Sequence, residues 1–155
     1  MNQFQKLTPR FLLAAACFST PHKGSYMKNK SELNVFGKPL VSCGENPKTG
    51  YYRDGFCTTG PEDKGIHVVC AVVTTEFLEF SKKNGNDLMT PMPQYDFKGL
   101  KQGDRWCLCA ARWKEAFESK VAPPVILEST HQKALEIIPL KNLETKCHTV
   151  VLYQQ

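Results

Sequence analysis

Residues 66–74 (IHVVCAVVT) carry apolar side chains on both alternating sets of positions. A strand that is apolar on both faces is buried on both, so this segment is expected at the centre of a sheet. Residues 75–84 continue at helical spacing. Phe77, Leu78 and Phe80 form the apolar stripe, and Asn84-Gly85-Asn86 closes the helix. Residues 104–109 read as a second strand, with Trp106, Leu108 and Ala110 on one face and Cys107 and Cys109 on the other. It runs into a helix over 110–120, which Pro123-Pro124 stops. A third strand is expected over 125–128. Thr130 is placed to cap a short helix to 135, with His131 a surface residue at its start, and 140–146 forms a last short helix.

Between these elements the pattern breaks down. Residues 33–65 hold a glycine or proline every few positions, which predicts a long, turn-rich approach with one strand near 33–36. Residues 87–103 form another loop, with Pro91, Pro93, Gly99 and Gly103. The fold class expected is α+β (mixed α/β), a small central sheet with three to four short helices and long Gly/Pro-rich loops. No G-x-G-x-x-G follows a strand and no G-x-x-x-x-G-K-[ST] occurs, which argues against a doubly wound nucleotide fold.

Charge divides the chain. Of its twenty basic residues, Lys6, Arg10, Lys23, Lys28 and Lys30 precede the first acidic residue, Glu32. The formal charge of +5 therefore belongs to residues 1–31, and the body is neutral. A neutral body argues against nucleic acid as the partner, since phosphate binding needs clustered positive charge. The organisation expected is a basic leader (1–31), one globular domain (32–148) and a strand-like tail (149–155, with Thr149–Tyr153 reading TVVLY). Phe11–Phe18 is too short to span a bilayer, which takes about 20 residues. Two addresses fit the leader. Phe4, Leu7, Phe11, Ala14 and Phe18 share one helical face away from Lys6 and Arg10, the pattern of a mitochondrial presequence. The alternative is a secretory signal, with Asn29-Lys30-Ser31 as a glycosylation acceptor. The mitochondrial reading is preferred.

The seven cysteines are sparse and irregularly spaced, so buried reduced thiols are expected rather than a disulfide scaffold. The densest chemistry lies in 53–63, RDGFCTTGPED. Arg53, Asp54, Thr58, Thr59 and Asp63, with the amides near Gly60, suit an anion, and Cys57 becomes a nucleophile if His67 or His131 approaches as base. The same residues also suit a structural loop, with Asp54, Thr58, Thr59 and Asp63 capping turns. A zinc site is an alternative. Cys107 and Cys109 share a strand face, and one of His67 or Cys70 would join them.

The segments NVFGKPL, TGYYRDGFCTTGPEDKGIHVVCAVVT, FLEFSKKNGNDL, GLKQGDRWCLCAARWKEA and APPVILESTHQKALEIIPL resemble the family called domain of unknown function 2237. The resemblance spans residues 33 to 146 and implies a small bacterial-type single domain with no known reaction. Phe56 stands where that family commonly carries a second cysteine beside Cys57. Two functions are expected from these observations. The first is a non-catalytic accessory subunit of a mitochondrial assembly, with a respiratory-chain complex as the guess. It would dock on other protein subunits through the leader and tail, meet a membrane only through those partners, and need no cofactor. The second is a small enzyme or ligand- or metal-binding protein with its site around Arg53–Asp63 and His131. A polar pocket joining those segments would favour the second.

Overall fold

The computed structural model describes residues 32–148. Strand β1 (His67–Val72) and strand β2 (Arg105–Cys109) pair antiparallel. Helix α1 (Thr75–Lys83) follows β1, helix α2 (Ala110–Glu118) follows β2, and helix α3 (Leu140–Glu144) closes the described chain. The architecture is a small mixed α+β domain around a two-stranded antiparallel sheet. None of the described helices is long and apolar enough to cross a membrane.

β1 is central, as its two-sided apolar pattern requires. Val68, Val69, Cys70 and Ala71 are fully buried. β2 covers one edge. On the other edge the third expected strand shrinks to a bridge between Ala71 and Val125, flanked by Val72 N–H to Pro124 O and Ile126 N–H to Cys70 O. The chain cannot extend further, because Leu127–Ser129 coils into a 3-10 turn and the Thr130 hydroxyl donates back to Ile126 O. The strand expected at 33–36 is likewise reduced to isolated bridges, Leu33 with Pro39 and Asn34 with His131. The tail expected as a strand at 149–153 lies outside the described residues, as does the leader.

The two helices lie where their caps and stripes place them. The Thr74 side chain accepts from Phe77 N–H, Glu76 sits in the first turn of α1, and Lys82 and Lys83 sit in the last, so charge complements the helix dipole at both ends. Phe77 and Leu78 bury against the sheet side of the core. α2 buries Ala110, Trp113 and Ala116, and the core they share holds Val69, Ala71, Val73, Leu108, Val125 and Leu143. Alternation along the strands sends Cys70 and Cys107 away from that core into a separate buried cluster with Cys43 and Cys57.

Candidate functional site

A cavity of about 360 Å³ opens beside β2. Three loops that carry no regular strand build it. Gly50, Tyr51 and Arg53 come from the turn-rich approach, Asn86, Asp87 and Leu88 from the segment after α1, and Met92, Tyr95 and Phe97 from the small bridge around a 3-10 turn at Pro93–Tyr95. His67, Trp106 and Cys107 supply the sheet side. Aromatic rings dominate the walls. Phe97 tilts against Trp106, with centroids 5.5 Å apart.

The backbone near the cavity is forced. Arg53 has φ 55° and Ile66 has φ 51°, a left-handed conformation that costs a non-glycine residue about 1–3 kcal/mol. In this conformation the Arg53 guanidinium sits 4.7 Å from the centroid of the Trp106 ring, a cation–π contact. Gly50, at φ 96°, is required by close approach, since a Cβ there would collide with the Phe56 carbonyl.

His67 is oriented from behind. Its Nδ1 lies 2.6 Å from Asp63 Oδ1, its own N–H donates to Asp63 Oδ2 at 2.8 Å, and the Thr59 hydroxyl donates to the same oxygen at 3.0 Å. A carboxylate only accepts, so Nδ1 carries a proton, and in the neutral tautomer that this bond selects Nε2 is the acceptor. Tyr51 stacks on the imidazole at 6.0 Å between centroids. Burial pushes the Asp63 carboxyl up, but the bonds from the His67 backbone and imidazole, with Thr59, outweigh it and hold the group below the usual carboxylate range. At the rim, Asp87 is held far below that range by the hydroxyl and N–H of Thr90 and by Lys82, so it stays ionised.

The Asp63 shift fixes a pH dependence. A carboxyl depressed in the folded state contributes stability that is complete above its unfolded value near about pH 4 and fades as pH falls through the folded value. Asp63→Asn is expected to cost about 1–3 kcal/mol at neutral pH by leaving donors without a carboxylate. The wild-type and variant stabilities should converge in acid. Urea denaturation between pH 7 and pH 3 checks this, and a difference that persists unchanged at pH 3 refutes it.

The structure divides the residues singled out from sequence. Arg53 lines the cavity, and Thr59 and Asp63 stand behind its histidine. Asp54 instead closes a turn by accepting from Phe56 N–H, and Thr58 is buried. His131 does not reach the cavity. It is buried, with Nε2 2.6 Å from Glu32 Oε2 and Nδ1 accepting from Lys133 N–H, and it caps the 3-10 turn Gln132–Glu136. It therefore takes the capping position expected of Thr130. That hydroxyl is occupied by Cys70 N–H and Ile126 O.

The cysteine expectations are corrected. Four of the cysteines are buried but not reduced, because Cys43 bonds to Cys70 and Cys57 to Cys107. Cys57 is thus no free nucleophile, and Cys107 does not join Cys109 in a metal pair. Cys109 remains a half-buried free thiol outside the sulfur cluster. Both bonds tie the irregular approach to the sheet, and pairings across 27 and 50 residues leave no spacing signature. Among the described residues, the group with sulfurs close enough to share an ion is Cys43, Cys57 and Cys70. Sequence reasoning also missed Tyr51, Asn86, Tyr95, Phe97 and Trp106. Aromatic side chains next to glycine and proline in two separate loops were the signal available for them.

A search among curated proteins returned no match at a significant level. Residues 33–147, nearly the whole described domain, match the model of an uncharacterised protein family conserved in bacteria (DUF2237), and the chain belongs to that family.

Proposed function

We propose that this domain binds a small planar ligand bearing an acidic group, with its ring held among Tyr51, Tyr95, Phe97 and Trp106 and its anion beside Arg53 and His67. The observation that carries the reading is the cavity of about 360 Å³ that gathers these rings with one guanidinium and one carboxylate-oriented imidazole. That size falls within the range of small-molecule sites, which are mostly apolar with a few placed polar groups. The strained backbone of Arg53 and Ile66 supports it, since such strain concentrates where side chains must be aimed. Nε2 of His67 can accept a hydrogen bond from the ligand or take its proton.

Ligand-observed NMR of the full chain against aromatic carboxylates and aromatic phosphates tests this. Binding is expected, and Arg53→Ala should weaken it at least about tenfold, the worth of one charged hydrogen bond. Absence of binding, or binding indifferent to Arg53→Ala, would sink the reading.

A second reading concerns where the protein works. The acid-free basic segment before Glu32 supports an accessory subunit of a mitochondrial assembly, with a respiratory-chain complex as the specific proposal. Mass spectrometry of the natively isolated protein tests it. Stoichiometric partner subunits support docking, and a chain running alone overturns it.

A further inference from the structure

Cys70 and Cys107 face each other across the β1–β2 register. Cys43 and Cys57 reach them from the loop that covers that face, and all four side chains are at most 2% exposed. The sulfurs of Cys43, Cys57 and Cys70 lie within 4.8 Å of one another, and that of Cys107 is bonded to Cys57. Zinc binds thiolate tetrahedrally at about 2.3 Å, which sets its four sulfurs about 3.8 Å apart. Three of the sulfurs already lie within a space of that scale, and each bonded pair must part to reach the spacing zinc needs.

Its backbone is held by bonds that do not involve sulfur. Cys43 N–H donates to Gly55 O at 2.8 Å, Cys107 N–H to Thr49 Oγ1 at 2.8 Å, and Cys70 N–H to Thr130 Oγ1 at 3.2 Å. Thr49 is itself tied back, by Thr49 N–H to Gly44 O and Gly55 N–H to Thr49 O. Opening the disulfides leaves these backbone bonds in place, with four thiols in one buried cluster.

We propose that Cys43, Cys57, Cys70 and Cys107, once reduced, form a four-thiolate site for one zinc ion. This site is separate from the ligand cavity and does not depend on its occupant. A dithiol reductant supplies each disulfide with two electrons and two protons and closes to its own disulfide. The resulting four thiols release four protons as the sulfurs take up Zn²⁺. With four protein ligands the coordination is closed, so the metal is structural and the fold has two alternative staples, oxidised and metallated.

The test uses the full chain, reduced with a dithiol and passed through an anaerobic desalting column with and without zinc. One zinc per chain is expected by elemental analysis. Four fewer thiols should react with a chromogenic disulfide than in the metal-free reduced chain. Cys109→Ser should keep both results, and Cys43→Ser should cut zinc retention at least tenfold. Near-ultraviolet circular dichroism should show native packing in the zinc form and its loss on chelation, which separates a folded site from metal caught by an unfolded chain. No retained zinc, four thiols still reactive in the zinc form, or loss of zinc in Cys109→Ser would each overturn the proposal.

Discussion

Reducing the protein in the presence of a chelator is expected to remove several kcal/mol of stability. The Cys43–Cys70 bond closes 27 residues and the Cys57–Cys107 bond 50. Chain-entropy scaling gives about 3.5 kcal/mol for the first loop and about 4 for the second. The loops overlap between residues 57 and 70, so their joint effect is less than the sum. The consequence concentrates in residues 33–65, which hold no regular element and rest on scattered hydrogen bonds such as Ser42 Oγ–H to Gly55 O and Ser129 Oγ–H to Ser42 O. A domain of this size has about 5–15 kcal/mol in total, so the loss leaves it marginal. Urea denaturation with and without reductant reads the effect, once thiol titration has confirmed that both bonds are open. An unchanged midpoint would mean that the hydrogen-bonded loop, not its sulfur staples, holds the cover on the sheet.

The second large effect belongs to Trp113. It is fully buried in α2, stacks on Phe117 with centroids 5.3 Å apart, and donates Nε1–H to Pro123 O at 3.1 Å. That bond ties the middle of α2 to the proline pair that precedes Val125. Trp113→Ala should cost about 3–5 kcal/mol through lost burial and the cavity left behind. Trp113→Phe keeps most of the apolar contact but orphans the Pro123 carbonyl, so about 1–3 kcal/mol is expected. Equilibrium denaturation of both variants separates packing from hydrogen bonding. Equal costs for the two would refute that partition.

The elements read correctly were those whose signal is local. β1 was legible because its apolar residues fill both parities, and α1 because the stripe of Phe77, Leu78 and Phe80 and the Asn84-Gly85-Asn86 stop lie within ten residues. β2 and α2 were legible within two residues of their ends, and the mixed α+β class followed from that alternation. Residues 125–128 misled because their composition is strand-like, while a hydroxyl two residues beyond them turns the chain.

The candidate site was half legible. Arg53, Thr59 and Asp63 stand out in one dense segment; Asp63, held by Thr59, bonds His67, and Arg53 lines the same cavity. Their complement, Tyr95, Phe97 and Trp106, comes from segments more than 30 residues away, and no local pattern pairs them. His131 looked catalytic or exposed from its neighbours, and a carboxylate 99 residues earlier in the chain decided its role.

Local sequence pattern was enough for the central strand, the helices that cover it and the confinement of the net positive charge to residues 1–31. Each of these depends on periodicity or charge within a short window, where backbone geometry and solvent act directly. Which cysteines bond, which carboxylate His131 meets and which rings enclose a cavity were settled by long-range packing. Those outcomes depend on loop closure across tens of residues. There the glycines and prolines permit many paths, and only packing against the finished sheet selects one.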